Sequence, residues 1–555
     1  MNSKIVVALS IFCTGFLLSS CSKVLDKAPL DSYTDESVWQ DLKLAEAYAN
    51  NIYNVLPTFT VDWGNSLSRS VVLSSASDEG FTKFGDSYTC GSRNVLNKGL
   101  LSPDNAGNFD IWSKNYSQIQ SANIFLSRID NVPGDENYRN RLKGEVTFLR
   151  AYAYFQLISD YGGVPLIKEP FNLNSDFKVG RSSFDDCVKF ISDELDNAAT
   201  LLGNVNAQKG RASSALALAI KSRLLLYAAS PLWNTNNDQS KWVAASAAAK
   251  AVIDLPAFSL YTGNYSTLFT TSNSELIGVH LSGYRGEWDP FTGLEMMCFP
   301  NGYHGWAAFA PTQDLVDAYG TADGKYISDP TSGYNPQNPY VNRDPRFYAS
   351  IIFDGRPTGN PAYFGDRTTT QAQFYEGGYD SDEGYDVWNN SLTRYAFRKY
   401  MDTTFNFNVT TQTNKFWILS RLGEIYLNYA EAEFYLGHEE NTRTYLDKIR
   451  QRAGITVPLA ESGAALEKRL RNERQVELAF EGHRYYDVRR WKIAEITDNK
   501  PVRQVIITRN ANTGVKTYQY QDLESRSFDK TRHYLMPIPR TEINRTGLEQ
   551  NPGYN

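Results

Sequence analysis

Helical periodicity comes in two blocks with none between them, and this interruption limits the fold more than any other feature of the sequence. The first block opens with a segment near 35–55. It continues from Ile111 to about Asn131, where Tyr116, Ile119 and Asn123 to Ile129 recur at helical spacing before Pro133-Gly134. Glu145 to Tyr161 follows, rich in aromatics and alanine and closed by Gly162-Gly163. Ser183 is placed to cap the next helix. Asp185 and Asp186 lie in its first turn, where the helix dipole favours negative charge, and Ile191, Leu195, Ala198 and Leu202 share one face. Ala212–Ala229 and Trp242–Val252 complete the block. The second block holds Arg421–Leu436, Thr442–Arg452 and Ala464–Phe480, with Gly437, Gly454 and Gly482 after them.

Small residues (Ala151, Ala153; Ser213, Ser214; Ala430, Ala432) stand where neighbouring helices would approach. Helices that come in pairs, each pair apolar on one face, bury that face only against the next pair. The expectation is a mainly α fold, a tetratricopeptide-like stack of helical pairs. Residues 265–415 differ: Gly, Asn, Pro and Tyr dominate, with short β-like runs such as Phe347–Phe353 before the turn Asp354-Gly355. So long a stretch without helices is functional loop or disorder. Its aromatic content argues for loop. A loop-rich, partly β region resting on the helices is expected, and residues 57–110 are similarly turn-rich.

The N-terminus reads as an export signal. Lys4 precedes the apolar run Ile5–Leu18, and Ser19-Ser20-Cys21 closes it. The run falls short of the roughly 20 apolar residues of a membrane span. Leu18-Ser19-Ser20-Cys21 is similar to the bacterial lipobox, which makes Cys21 the expected site of lipidation, and acyl chains contributing ~0.8 kcal/mol per methylene suffice as an anchor. The net charge of −6 is spread over 62 acidic and 56 basic residues without a basic cluster, which argues against a nucleic-acid partner. Cys90, Cys187 and Cys298 have no metal-like spacing and indicate no disulfide scaffold.

Glu473, Glu477 and Glu481 recur every four residues, followed by Arg484, Asp487 and Arg490 at spacing three. Paired carboxylates could do acid–base work, but Glu and Arg at these spacings more simply form structural ion pairs. The five histidines are dispersed, and no metalloprotease, phosphate-loop or nucleophile-elbow motif is present. No cofactor is expected. Asp380-Ser381-Asp382-Glu383-Gly384-Tyr385-Asp386 is similar to a calcium loop, yet Tyr385 stands where that loop needs glycine; a solvated acidic turn is the expectation and no metal site is assigned. The 35 tyrosines and 10 tryptophans gather in loops. Rigid rings bordered by short polar side chains suit a sugar, whose C–H face lies on the ring while its hydroxyls meet the rim. Three clusters fit: Trp63, Asp78 and Tyr88 with Arg93 and Asn94 nearby; Trp288, Tyr303 and Trp306; and Tyr385–Tyr395 with Trp388, Asn389, Arg394 and Tyr395.

Several segments together resemble the SusD/RagB family of surface lipoproteins from Bacteroidetes. They are Ile111-Trp112 through Ala122-Asn123, Gly144–Tyr152, Asp160–Leu166, Gly210-Arg211-Ala212, Arg343–Phe347, Arg421–Leu427 with Ala430-Glu431-Ala432, Asn472-Glu473-Arg474 through Glu481–Arg484 to Arg490-Trp491, and Pro537-Ile538-Pro539 with Gln550–Tyr554. They run in order along the whole chain. The resemblance implies a signal at 1–20, a lipidated tether at 21–36, an N-terminal helical region at 37–264, a ligand face at 265–415 and a C-terminal helical region at 416–555. It also implies a non-enzymatic binder on the outer-membrane surface that captures oligosaccharides for a TonB-dependent (SusC-like) transporter, over which it sits as a hinged lid. Capture of peptides or another nutrient by the same lid is the alternative, and a lipid-anchored glycoside hydrolase is a more remote one.

Overall fold

The computed structural model describes residues 35–57, 73–83, 93–172, 174–203, 208–282, 294–358, 369–401, 403 and 415–554. Cys21, Trp63, Tyr88, Cys90 and Trp288 lie outside them. Nine helices make the scaffold: Leu42–Ile52 (α1), Trp112–Arg128 (α2), Glu136–Tyr161 (α3), Phe184–Leu202 (α4), Ser214–Ala229 (α5), Gln239–Ile253 (α6), Leu422–Tyr435 (α7), Glu439–Arg452 (α8) and Gly463–Glu477 (α9). From α2 onward each packs on the next, and α1 packs on α2 and α3. The stack therefore continues from α6 directly to α7, although residues 254–421 intervene in the chain. The fold is the tetratricopeptide-like scaffold the helical pairs imply. No helix among the described residues is long and apolar enough to cross a membrane.

Local chemistry sets the helix boundaries. Asp135, Ser183, Ser213 and Asp238 each accept a hydrogen bond from a first-turn N–H, meeting donors the helix leaves unpaired. The third helix starts at Glu136, nine residues before the start read from the sequence. Gly144 resembles a breaker there. In fact it is a contact point, since a Cβ at 144 would lie 2.9 Å from Leu202 and 3.0 Å from Leu201 of α4. Small residues serve the α5–α6–α7 seam in the same way, with Ala219, Ala245, Ala249 and Ala432 all buried.

Four two-stranded antiparallel sheets are formed by the described residues. The strands are Gly80–Thr82 (β1), Leu276–Ser282 (β2), Phe309–Pro311 (β3), Ile351–Ile352 (β4), Ala396–Phe397 (β5), Lys415–Arg421 (β6), Val502–Arg509 (β7) and Lys516–Glu524 (β8). The insertion leaves and re-enters the stack on β2 and β6, which pair from Leu276↔Arg421 to Ser282↔Lys415, so its two ends meet at a neck. Phe347–Phe353 is only partly β: Pro345–Ser350 is helical and Ile351–Ile352 alone is strand. Asp344 accepts from Arg346 N–H at 2.8 Å and Pro345 sits at the first helical position, so Asp-Pro starts a turn of helix.

A buried ionic network fastens the insertion to the last helices. Arg421 meets Glu275 (2.7 Å), Glu477 (2.8 Å) and Glu481 (2.7 Å); Arg346 meets Asp344, Glu473 and Glu477; Lys399 meets Glu481; Arg450 meets Glu473; and Arg452 meets Glu275 and Glu477. These five cations and five carboxylates are all 3% exposed or less. Charge balances within the cluster, which is the condition for burying it. Helix α9 ends at Glu477, earlier than the periodicity implies; Phe480 adopts a left-handed conformation (φ 63°), and Glu481 reaches the network from beyond that turn.

One buried carboxyl lies outside this balance. Glu79 accepts from Phe480 N–H at 3.2 Å, and desolvation, with the charge of Asp78 adding to it, pushes its pKa up to about 8. The folded state thus holds a proton that the unfolded chain, titrating near 4.5, releases. The cost to stability is absent below pH 4.5, grows as pH rises and is complete above about 8. Glu79→Gln should leave the melting temperature unchanged at pH 4.5 and raise it at pH 8.5. At ~1.4 kcal/mol per pKa unit the gain is a few kcal/mol, and equal shifts at both pH values would refute the assignment.

Candidate functional site

Described segments beside the three candidate clusters, far apart in sequence, are brought together by pairing and hydrogen bonds. Strand β1 pairs with β3, from Gly80↔Pro311 to Thr82↔Phe309, which brings the segment after Asp78 beside the one after Trp306. Lys83, just past β1, donates from Nζ to the carbonyl of Trp388 at 2.7 Å. Asn301 donates from Nδ2 to the carbonyls of Ser381 (3.1 Å) and Asp386 (2.9 Å). His304 meets the Tyr385 ring edge-on at 5.0 Å, and Tyr379 stacks on Tyr385 at 5.5 Å.

Trp388 is 75% exposed, Val387 57% and Tyr385 44%. Burial of apolar surface is the main force in folding, so three large apolar side chains left in water within four residues form a surface that folding does not explain. Their backbone is nonetheless fixed. Tyr385 N–H donates to the Tyr379 carbonyl (3.0 Å), Asn390 Nδ2 to Val387 O (2.6 Å) and Asn389 Nδ2 to Asp386 Oδ2 (2.7 Å). Gly384 permits the turn, because a Cβ there would stand 2.3 Å from the Tyr379 carbonyl. The result is a rigid, open shelf of rings with carboxylate and amide groups at its margin.

Several candidates belong to the framework instead. Tyr303 is fully buried and donates to the Thr370 carbonyl at 2.7 Å; Tyr395 is fully buried and donates to Gln313 Oε1 at 2.7 Å. Neither offers a face to a ligand, because the insertion has its own aromatic core in which Tyr340, Phe347, Phe353 and Tyr395 meet. Arg394 is buried in a left-handed conformation (φ 64°) and holds Asp382 at 2.8 Å. Asp78 is gripped by Arg484 through two bonds of 2.7 Å; burial raises its pKa, but that guanidinium outweighs burial and holds it below the usual carboxylate range. Trp306 is half-buried against the core. Asn94 lies half-buried on the short helix Arg93–Asn97.

The acidic turn is likewise committed to protein donors. Asp380 accepts from Gln373 N–H, Asp382 pairs with Arg394 and Asp386 accepts from Asn389. Glu473, Glu477 and Glu481 are buried in the ionic network, away from any solvent-borne substrate. Lys83, Asn301, His304 and Tyr379 escaped the sequence reading as site builders. Tyr379 and Tyr385 flanking a glycine turn were the one available signal.

Two family models match the chain: the SusD family over residues 279–554, and a family described as starch-binding and associating with the outer membrane over residues 74–226. A solved SusD-like protein from Bacteroides fragilis is 30% identical, superposes with a TM-score of 0.78, and covers 95% of this chain and 100% of its own. The chain belongs to the SusD family. A second Bacteroides fragilis structure, a SusD-like carbohydrate-binding protein, is 25% identical with a TM-score of 0.72, covering 92% of this chain and 99% of its own. SusD-like protein P2 of Formosa agariphila is 25% identical over 97% of both chains. The ring shelf of this SusD-family chain differs in kind from its deeper cavities. One of about 660 Å³ lies among Gln208, Lys209, Phe258 and Asn273. Another of about 400 Å³ lies between α2 and the 165–179 loop.

Proposed function

We propose that this SusD-family protein is a surface glycan-binding lipoprotein, anchored to the outer membrane through Cys21, which captures oligosaccharides and delivers them to a TonB-dependent transporter. The observation that carries the reading is the exposed shelf of Trp388 and Tyr385, backed by Tyr379 and His304. A sugar ring laid on Trp388 covers apolar surface at little entropic cost, since the shelf is already fixed by its backbone hydrogen bonds. Asp386 and Asn389 are bonded to each other at the margin through Oδ2 and Nδ2, which leaves Oδ1 of each for a sugar's hydroxyl groups. The similarity to a carbohydrate-binding SusD-like protein supports the same ligand class. Delivery by lid opening, one rigid body swinging on another, suits a stack clamped to its insertion by a buried ionic cluster. The test is a screen of the full-length protein, purified in detergent, against oligosaccharides and peptides of matched length. Binding should fall within the glycans, with no product released from them; binding confined to peptides would overturn the proposal.

A further inference from the structure

The cavity of about 400 Å³ beside α2 has the character of a ligand site, within the ~300–1,000 Å³ that such sites occupy. One wall is a face of α2, where Trp112, Tyr116 and Ile119 follow at spacings of four and three. The 165–179 loop adds Phe171 and Phe177, and the short helix Arg540–Thr546 supplies part of the rim. The rings come in two pairs, Trp112 with Tyr116 and Phe171 with Phe177, each with centroids 5.0 Å apart.

Folding alone does not account for this space. Apolar walls ordinarily close on each other, because interiors pack densely and an unfilled space forfeits dispersion contacts. Here the walls are held in place. Tyr116 Oη donates to the Pro165 carbonyl at 2.9 Å. The Gln120 amide grips the Phe171 backbone, donating to its carbonyl at 3.1 Å and accepting from its N–H at 3.0 Å. Phe177 stays 45% exposed beside apolar space that it does not fill.

The lining also restricts the occupant. Gln120 is committed to the loop, and Thr546 Oγ1 donates to the Glu542 carbonyl. Ser113 and the Glu542–Arg545 ion pair, at 2.6 Å, are the polar side chains that remain for a ligand. A bare sugar, hydroxylated on most of its carbons, would bury more polar groups than these can meet. The ion pair balances its own charge, so the rim selects neither an anion nor a cation. Four rings in the walls favour a flat ring over an alkyl chain, because ring–ring contacts add to what burial of area gives.

We propose that this cavity, none of whose residues belongs to the ring shelf, is a second ligand site that takes an uncharged aryl group, free or carried on a sugar as an ester or ether. The sugar-borne source rests on the glycan-binding reading above; the cavity itself does not.

The experiment measures affinity by calorimetry on the full-length protein in lipid nanodiscs, where no free detergent competes for an apolar cavity. Methyl, hexyl and phenyl β-glucosides share one sugar, and hexyl matches phenyl in carbon count. The phenyl glucoside should bind at least about tenfold more tightly than the methyl, ~1.4 kcal/mol, and at least about threefold more tightly than the hexyl. Phe177→Ala should cut the phenyl-to-methyl ratio to about threefold or less, whereas Trp388→Ala should leave it unchanged. Ser113→Trp, at an exposed rim position, should lower the ratio equally by blocking the mouth, and it replaces Phe177→Ala should that variant melt well below the parent protein. Among free aryl probes, 3-phenylpropionamide should bind more tightly than 3-phenylpropionate. Aryl probes left unbound, hexyl bound as tightly as phenyl, a preference for the carboxylate, or a phenyl preference lost with Trp388 instead of Phe177 would overturn the site. Oligosaccharides bound without any aryl preference would remove the cavity and leave the glycan reading standing. The amide bound through Phe177 by a protein that binds no oligosaccharide would keep the cavity and remove the glycan reading.

Discussion

Replacing Glu477 by glutamine should destabilise the protein by about 3–5 kcal/mol, the usual cost of removing one partner from a buried ionic cluster. Glu477 touches Arg346, Arg421 and Arg452 at once, and all four side chains are 3% exposed or less. Glutamine keeps the shape and can still accept hydrogen bonds, so the loss isolates charge: five cations would face four carboxylates where water cannot screen them. A matched exposed pair supplies the contrast, since Asp193→Asn, which breaks a solvent-facing bridge to Lys189, should change stability by no more than ~0.5 kcal/mol. Urea unfolding measures both, and a Glu477→Gln loss below ~1 kcal/mol would mean that the cluster does not clamp the insertion. The same residue carries a pH signature. Burial alone would raise its pKa, but Arg452, Arg421, Arg346 and Lys399 outweigh burial and hold it well below the carboxylate range. Its stabilisation is therefore present above the unfolded value of 4.5 and is lost as pH falls further. The glutamine variant should show a flatter dependence there.

Trp388→Ala should do the opposite, leaving the fold intact and removing affinity. At 75% exposure the indole contributes little to the core, so the melting temperature should move by no more than about 1–2 °C. The ring at the centre of a binding surface commonly carries ~2 kcal/mol or more, so affinity for any glycan bound by the parent protein should drop about thirtyfold. Trp388→Phe should recover part of it. Affinity within about threefold of the parent would move the binding face away from the shelf.

The sequence discloses more of the scaffold than of the shelf, and the reasons are physical. Ser183 and the glycines after the helices are local signals that act within one turn, so boundaries follow from them, whereas Ser213, read as a packing residue, caps α5. The start of α3 was hidden because Gly144 serves a neighbour more than fifty residues away, and spacing within a segment carries no trace of that contact. The β7–β8 hairpin in the C-terminal region also went unread: Val502, Val505 and Ile507 face the core, but on β8 only Tyr518 and Tyr520 mark the inner face, and both are just half-buried among polar residues. In the insertion, Tyr303, Tyr395 and Trp388 sit in the same kind of Gly- and Asn-rich surroundings. Whether such a ring faces inward or outward depends on partners such as Thr370 and Gln313, which are brought there by topology alone. The carboxylates at 473, 477 and 481 were legible as ion-pair formers from their spacing. Their destination was not.

The neck formed by β2 and β6 has an evolutionary consequence. Because both ends of the intervening chain are stitched side by side at one place, lengthening or shortening what lies beyond alters closure entropy only logarithmically, ~0.6 kcal/mol per doubling. Descendants of such a chain can therefore exchange the material that meets the nutrient, even by whole segments, while the stacked helices inherit an unchanged attachment point.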